Sequence, residues 1–246
     1  DKNTNSFKSG AGKNIALLGP RKSGKTAIVK EHLKNAKDVV PVYIDLEKIS
    51  LNPENFSVEL IGNVLFYFLK KPLNEYKNFL LLGNLLKVQS QMPKNAFSLI
   101  KTVENELLKI KPDQKLLVES AFDFAERLGK DSGRKFLIVL DNFENLLGLN
   151  NFSQIKNILS VINFEAENAR YIAASSAIRE SLASFKNFEC YEIKNLERKE
   201  AIELAESIIG KNNASEEIWA LGQGHPLITI LISKRYNEIK DVKKSF

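Results

Sequence analysis

The stretch from Gly19 to Thr26 constrains the fold of this chain more than any other feature. It reads Gly-Pro-Arg-Lys-Ser-Gly-Lys-Thr and matches G-x-x-x-x-G-K-[ST] at every fixed position. The apolar run 14–18 before it predicts a buried strand, and the apolar spacing after Thr26 predicts a helix. This motif holds phosphate when a strand precedes it and a helix follows. The weaker alternative is a glycine turn with a surface lysine.

The residue types suit a phosphate site. Glycine at Gly19 and Gly24 permits backbone angles that aim successive N–H groups at phosphate oxygens. The helix that follows adds a partial positive charge. Lys25 is expected to reach the β- and γ-phosphates, and the Thr26 hydroxyl is expected to bind Mg²⁺. The predicted nucleotide-binding residues of this loop are Gly19, Pro20, Arg21, Lys22, Ser23, Gly24, Lys25 and Thr26.

The second feature of a nucleotide site is an acidic residue at the end of a strand. A continuous apolar strand is predicted at 134–141, and it ends in Asp141. An aspartate at that place is expected to orient Mg²⁺, and the alternative is a helix cap. Glu144 is the candidate general base. Asn142 directly follows Asp141, and an amide can orient a water but cannot accept its proton. Either Glu144 supplies the base, or hydrolysis is slow.

Further sensor candidates follow the next strand, predicted at 170–176. Its final hydroxyls, Ser175 and Ser176, are expected either to sense the γ-phosphate or to cap a helix. Arg179 is a candidate arginine finger, with a surface arginine as the simpler alternative. Asn142 completes this group of sensor candidates.

The rest of the chain predicts further elements. A strand is predicted at 39–45, with Pro41 favouring an edge position, and a last strand at 188–193. About ninety residues separate Asp45 from the next strand, more than a crossover needs, which predicts a helical insertion at 73–112. That insertion is either a docking surface for a protein partner or a set of helices packed over the sheet. We also predict a helix at 152–167 and a helix from 116 that Gly129 closes.

The C-terminal part contains only predicted helices. We place a core domain at 1–195 and a helical lid subdomain at 196–246, with Trp219 as the packing anchor of the lid and Ser215 as a helix cap.

Composition sets further limits. Hydrophobic residues make up 43% and charged residues 27% of the 246, which is typical of a soluble globular protein. Cys190, expected to be buried, is the single cysteine, so no internal disulfide is possible and a cytoplasmic location is predicted. We find no signal peptide and no apolar run long enough to span a membrane. The chain starts at Asp1 and its only methionine is Met92, which predicts a processed or trimmed product.

The net charge of +6 permits contact with duplex DNA, although lysines spread along a chain more often mark solvated faces. The densest basic cluster lies near the C-terminus and comprises Lys234, Arg235, Lys240, Lys243 and Lys244.

Four stretches together resemble the AAA+-related STAND ATPases, including the archaeal ATPase group close to them. They are 18–26, 137–146, 175–180 and 221–227, the last containing Gly-His-Pro, and the resemblance covers about residues 12–240. It implies an α/β fold with a core sheet of five parallel strands, like that of P-loop NTPases of the ASCE/AAA+ type, a helical insertion and a C-terminal helical lid. It implies ATP/ADP and Mg²⁺ as cofactors, with His225 and Pro226 contacting the adenine base or the ribose. Two departures are a short stretch before the first strand and the absence of a winged-helix or repeat domain after the lid.

The resemblance further implies a switch or motor subunit that hydrolyses ATP to ADP and phosphate and changes conformation or assembly with nucleotide state, so that a homo-oligomer is among the candidate partners. One alternative is a DNA-associated ATPase, such as a replication initiator, helicase loader or transposition regulator. Another is a non-hydrolysing nucleotide-binding scaffold, which Asn142 keeps open.

Overall fold

The computed structural model describes residues 13–176 and 188–245. Two compact units divide the chain. Among the described residues, the first contains 13–17, 29–176 and 188–191, and the second contains 18–28 and 192–245. The predicted boundary at 195/196 stays a prediction.

A five-stranded, all-parallel sheet forms the centre of the first unit. Its strands are β1 (Asn14–Leu18), β2 (Val39–Asp45), β3 (Lys135–Asp141), β4 (Ala169–Ser175) and β5 (Phe188–Glu192). Their order is β2-β3-β4-β1-β5, so Pro41 lies in an edge strand as predicted. The register pairs Asp45 with Asp141, and Asp141 with Ala174, so polar residues gather where these three strands end.

Helix α1 (Lys25–Asn35) starts in the second unit and continues in the first. The other helices of the first unit are α2 (Pro53–Phe68), α3 (Leu82–Lys87), α4 (Lys94–Leu107) and α5 (Gln114–Ser132), with 3₁₀ segments Leu73–Leu80, Gln89–Gln91, Phe143–Asn150 and Ile158–Ser160. α2 and α4 pack on α5, and α5 packs on β3 and β4. Side chains cap the N-termini of α2 and α5: Asn52 accepts a hydrogen bond from the Asn55 N–H, and Asp113 accepts one from the Leu116 N–H. Between 73 and 107 the elements are α3, α4 and two 3₁₀ segments, with no strand among these residues, and the helical insertion at 73–112 stays a prediction.

The predicted stop of α5 at Gly129 is wrong. The helix continues to Ser132 and ends at Gly133, whose φ of 67° is left-handed. Gly129 serves a different purpose, because a Cβ there would lie 2.7 Å from Asn168 Cβ and 2.8 Å from the Arg134 carbonyl oxygen. Glycine at this position therefore permits a close approach and does not end the helix.

The predicted helix at 152–167 is also wrong. Within that range the structure contains only the short 3₁₀ turn Ile158–Ser160. Side chains supply hydrogen bonds that a helix would make through its backbone: Asn150 Oδ1 accepts from the Ile158 N–H at 2.7 Å, and Asn163 Oδ1 from the Glu165 N–H at 2.9 Å. Ile155, Ile158, Ile162 and Phe164 are nevertheless buried, whereas Phe152 is exposed, so part of the apolar pattern reflects burial without a helix.

Cys190 is exposed, which corrects the prediction that it is buried. It lies in β5, an edge strand in which Phe188 is buried while both Glu189 and Cys190 are exposed. The apolar run at 188–193 predicted the strand correctly, but the edge position leaves much of the strand uncovered.

Four helices follow in the second unit: α6 (Arg198–Ile209), α7 (Ala214–Gly222), α8 (Pro226–Ile239) and α9 (Val242–Ser245). Their core consists of Ala205, Ala214, Ile218, Ile232 and Val242. Trp219 is only partly buried, with the Arg198 guanidinium 5.6 Å from its ring centroid, so Ile218 and not Trp219 is the buried anchor. Ser215 lies inside α7 and does not cap it, because the helix starts one residue earlier.

Across 13–176 and 188–245, no helix combines the length and the apolar character that crossing a bilayer requires.

Candidate functional site

The segment 19–24 connects β1 to α1, in the strand–loop–helix order that the motif requires. Lys22 and Gly24 have φ values of 62° and 97°. A Cβ at Gly24 would meet no atom within 4 Å, so the backbone angle, and not crowding, requires glycine there. The helix begins at Lys25, so the positive end of its dipole lies at the end of this loop.

Gly19 has a different reason to be glycine. A Cβ there would lie 2.7 Å from the carbonyl oxygen of Ile193, and the Ile193 N–H donates to the Leu18 carbonyl at 2.6 Å. The start of the loop is therefore pressed against the chain that leads into the C-terminal helices. The backbone angle that the sequence suggested for Gly19 is not among the positive φ values of the described residues.

Lys25 closes the loop on itself. Its side chain is buried, and Nζ donates to the carbonyl oxygens of Gly19 at 2.8 Å and Pro20 at 2.7 Å. These bonds satisfy part of the hydrogen-bonding demand of a buried ammonium group. Ser23 Oγ is also buried and has no hydrogen-bond partner among the described residues. Buried polar groups are usually paired, so this hydroxyl fits a loop that receives an oxygen-rich ligand.

The outer surface of the loop is polar and open. Pro20, Arg21 and Lys22 are exposed, and Thr26 is exposed in the first turn of α1. Two cations beside a helix N-terminus make this region favourable for an anion.

Asp141 at the end of β3 is held firmly. It is 2% exposed, its Oδ2 accepts from the Tyr43 hydroxyl at 2.7 Å, and its Oδ1 accepts from the Asn142 N–H at 3.1 Å. Burial first, and then the hydrogen bond and charge of Asp141, raise the pKa of Tyr43. Tyr43 therefore stays protonated and keeps donating to this carboxylate.

A second acid, Asp45, lies beside Asp141 in the register of β2 and β3. Asn142 Nδ2 donates to Asp45 Oδ1 at 2.8 Å, and Lys48 forms an ion pair with Asp45 at 3.2 Å. Burial acts to raise the pKa of the Asp45 carboxyl, but these hydrogen bonds outweigh it and leave the pKa below its usual range. The side-chain amide of Asn142, which was predicted as a sensor, therefore holds Asp45. The backbone of Asn142 is left-handed, with φ of 56°.

Glu144 lies in the first turn of the 3₁₀ segment Phe143–Asn150 and is bound to the end of β4. Its carboxylate accepts from Ser175 Oγ at 2.9 Å, from the Ser176 N–H at 3.2 Å and from Ser176 Oγ. Burial acts to raise the pKa of Glu144, but the hydrogen bonds of Ser176, of its own backbone and of Ser175 together lower it. The two serines, predicted as phosphate sensors or helix caps, thus orient the candidate base.

The Gly-His-Pro stretch forms the turn into α8. His225 is the residue before the helix, Pro226 is its first residue, and Gly224 has φ of 74°. The Leu196 N–H donates to the Gly224 carbonyl at 2.8 Å, and a Cβ at Gly224 would lie 2.1 Å from the Leu196 carbonyl oxygen. His225 Nδ1 is buried without a hydrogen-bond partner among the described residues.

The segment 193–196 connects the start of the phosphate loop with the Gly-His-Pro turn, and both belong to the second unit. At one end Ile193 contacts Leu18 and Gly19, and at the other Leu196 contacts Gly224.

Arg179, the candidate arginine finger, lies outside the described residues.

Sequence reasoning missed Tyr43 and Asp45. Asp45 ends a strand that runs parallel to β3, so its place beside Asp141 followed from the strand pattern once the two strands were paired. Tyr43 lies two residues earlier, on the same face of β2, but nothing in the sequence showed that it reaches Asp141.

Within the described part of the chain, no group of three or more His, Cys, Asp and Glu residues is arranged to hold a metal ion. A Mg²⁺ ion that arrives with a nucleotide needs only one or two protein oxygens, because phosphates and waters complete its shell. Thr26 and Asp141 therefore remain predicted ligands, and their oxygen chemistry fits Mg²⁺.

Comparisons with known proteins give limited likenesses. No family model matches the chain. The immunoglobulin A1 protease of Streptococcus pneumoniae (strain ATCC BAA-255 / R6) is 26% identical over 125 residues, which is 50% of this chain and 6% of that protein. The structure of C. elegans PCH-2 aligns with 85% of this chain and 41% of its own, with a TM-score of 0.37 and 15% identity. The chain thus spans less than half of either protein, and its activity has to be inferred from its own residues.

Proposed function

We propose that this protein binds ATP with Mg²⁺, hydrolyses it slowly and changes conformation with nucleotide state. The observation that carries this proposal is the complete G-x-x-x-x-G-K-T loop between a buried parallel strand and a helix, with Gly24 at φ 97°. In open parallel α/β sheets, ligands bind outside the carboxyl ends of the strands. β1, which leads into the loop, and β3, which ends in Asp141, belong to one parallel sheet.

Each residue has a role in this proposal. The backbone N–H groups of 19–26 bind phosphate oxygens, and Lys25 exchanges its bonds to the loop carbonyls for bonds to the β- and γ-phosphates. Thr26 and Asp141 bind Mg²⁺, which neutralises charge on the phosphates. Tyr43 keeps one Asp141 oxygen in a fixed direction.

Glu144 is the proposed general base, and its environment supports slow turnover. A low pKa makes a carboxylate a weak base, because the best catalytic pKa lies near the working pH. Three hydrogen bonds from Ser175 and Ser176 also hold it in place. These contacts favour a second candidate function, a nucleotide-binding switch in which hydrolysis waits until Glu144 is released.

We further propose that His225 and Pro226 contact the base or the ribose. The segment 193–196 supports this proposal, because its backbone hydrogen bonds connect the start of the phosphate loop with the turn at Gly224 that precedes His225. A protein partner, duplex DNA and a homo-oligomer stay predictions, as does a cytoplasmic location.

The test of ATP binding is a titration with a fluorescent ATP analogue in the presence of Mg²⁺. Lys25→Ala should abolish measurable binding, since it removes the only side chain predicted to bind the β- and γ-phosphates directly. Lys34→Ala is the matched control, because Lys34 belongs to the same helix and makes only an exposed ion pair with Glu31. Tight binding by the Lys25→Ala protein would refute the assignment.

Hydrolysis is tested separately. Glu144→Gln keeps the size of the side chain and removes its basicity, so the rate of ATP hydrolysis should fall by about 10²-fold or more while nucleotide binding persists. An unchanged rate would exclude Glu144 as the base. If the wild-type protein binds ATP without turnover, the binding switch is the correct function.

A further inference from the structure

A basic cleft lies in the first unit, between the turn that joins α4 to α5 and the irregular segment after the 3₁₀ helix Phe143–Asn150. Its volume is about 580 Å³, and its walls come from residues 106–115 and 154–161. Gln114 joins the walls, because its Oε1 accepts from the Gln154 N–H at 2.7 Å. We call this cavity the lysine cleft, after four lysines that line it: Lys109, Lys111, Lys115 and Lys156.

The positive charge of the lysine cleft is only partly compensated. Lys109 pairs with Glu106, and Lys115 pairs with Glu119 at 3.5 Å. Lys111 and Lys156 are exposed and make no ion pair within the described residues. Two cations on opposite walls of one cleft therefore remain available to a ligand.

The two acids in the lysine cleft are already used within the protein. Glu106 accepts from Lys109 and from the Asp113 N–H at 3.0 Å, and these hydrogen bonds keep the pKa of Glu106 below its usual range. Asp113 Oδ1 accepts from the Leu116 N–H at 3.1 Å and caps α5. The Glu106 charge is paired with Lys109, and the four lysines outnumber the two acids of the lining, so the lysine cleft keeps an excess of positive charge.

Large apolar side chains are exposed next to the lining residues. Leu108 and Ile110 flank Lys109 and are 79% and 107% exposed, and Phe152 lies two residues before Gln154 and is 61% exposed. Exposed large apolar side chains beside the lining of a cleft are typical of interaction sites. We call Leu108, Ile110 and Phe152 the apolar rim.

We propose that the lysine cleft and the apolar rim bind an acidic polypeptide segment that carries aliphatic or aromatic side chains. Carboxylates of this segment pair with Lys111 and Lys156, and its apolar side chains cover the rim. Such a partner matches both properties of the surface, its charge and its apolar area. A nucleic-acid backbone would match only the charge, because Leu108 and Ile110 offer nothing to a phosphate.

Fluorescence anisotropy with labelled synthetic peptides tests the proposal on the full chain. The first probe alternates Glu or Asp with Leu and Phe, the second replaces its apolar residues with Ser, and the third replaces its acids with Lys. A labelled DNA duplex is the fourth probe. We expect the first probe to bind at least about tenfold more tightly than each of the others.

Variants locate the binding. Lys111→Glu with Lys156→Glu, and separately Ile110→Ser with Phe152→Ser, should each weaken binding of the first probe by about tenfold or more. All four side chains are exposed, so folding should be unaffected. The matched control is Leu73→Ser with Lys77→Glu, an exposed apolar–lysine pair in the 3₁₀ segment Leu73–Leu80, which should bind as the wild type does.

Several results would overturn the proposal. They are equal binding of the Ser-containing probe, tighter binding of DNA, failure of the first probe to bind, and equal losses in the control variant. The proposal is independent of nucleotide binding, so the Lys25→Ala protein should bind the first probe as the wild type does.

Discussion

At the scale of single residues, the candidate site contains three carboxylates, and each is held by hydrogen bonds from neighbouring residues. Asp141 is oriented by Tyr43, Asp45 by Asn142, and Glu144 by Ser175 and Ser176. These neighbours fix the direction of the three carboxylates, and for Asp45 and Glu144 they also lower the pKa.

Tyr43→Phe tests the support of Asp141. The change removes one hydrogen bond to a buried carboxylate, worth about 1.5–3 kcal/mol, and frees that oxygen to turn. We expect ATP hydrolysis to need a higher Mg²⁺ concentration for half-maximal rate, with the rate at saturating Mg²⁺ less affected. Magnesium titrations of steady-state hydrolysis measure this.

Tyr76→Phe is the control for that titration, because its hydroxyl donates to Asn63 and not to an acid of the site. An equal change in Mg²⁺ dependence in both variants would show that Tyr43 acts through general stability. Urea unfolding of both proteins gives the stability difference directly.

The pH dependence of hydrolysis tests the serine contacts of Glu144. The hydrogen bonds of Ser175 and Ser176 lower the pKa of Glu144, so the base stays ionised, and activity persists, to lower pH than for a free glutamate. Ser175→Ala with Ser176→Ala removes this lowering, so the acidic limb of the rate profile should move to higher pH.

The same double substitution should also change the stability of the folded protein, by an amount that depends on pH. A carboxyl with a lowered folded-state pKa stabilises the protein above its unfolded pKa, and this stabilisation is lost as the pH falls through the folded pKa. The double variant should therefore differ most from the wild type near neutral pH and least in acid. If the acidic limb of the hydrolysis rate profile does not move in the double variant, Glu144 is not the titrating base.

At the scale of elements, α5 shows that a glycine in a helical pattern has two explanations. Gly129 looked like a helix end, yet the helix continues through it, and the close approach of Asn168 and Arg134 explains why the residue is glycine. The local pattern does not show the contact with Asn168, because Asn168 is far away in sequence.

A pair of glycine substitutions separates the two explanations. Gly→Ala in an open helix stabilises by up to about 1 kcal/mol, and a Cβ added at Gly83 in α3 would meet no atom within 4 Å. Gly83→Ala should therefore raise the urea midpoint. Gly129→Ala should lower it, because its Cβ would lie 2.7 Å from Asn168 Cβ and 2.8 Å from the Arg134 carbonyl oxygen. A rise in both variants would mean that the contact at Gly129 relaxes at little cost.

At the scale of the whole molecule, the chain returns to its first loop near its end. Ile193 binds the backbone at Leu18, and three residues later Leu196 binds Gly224. Residues far apart in sequence thus join the predicted phosphate loop to the turn that begins α8.

Amide hydrogen exchange tests this connection. The Ile193 and Leu196 N–H groups both donate to backbone carbonyls and should be protected in the wild type. Gly224→Ala places a Cβ 2.1 Å from the Leu196 carbonyl oxygen, so exchange at Leu196 should rise while Ile193 remains protected. Equal exchange in variant and wild type at Leu196 would show that the turn does not hold this segment.

The amino-acid sequence by itself determined the five strands, most of the helices, and the places of Lys25 at the start of α1, of Asp141 at the end of β3 and of Glu144 shortly after it. Local periodicity and turn chemistry encode these features, and they are short-range properties of the chain. The contacts of Tyr43, Asn142, Ser175 and Ser176, the exposure of Cys190 and the irregular path of 152–167 were decided only by the tertiary structure. The strand order places distant residues side by side, and hydrogen bonds between such residues leave no local pattern in the sequence.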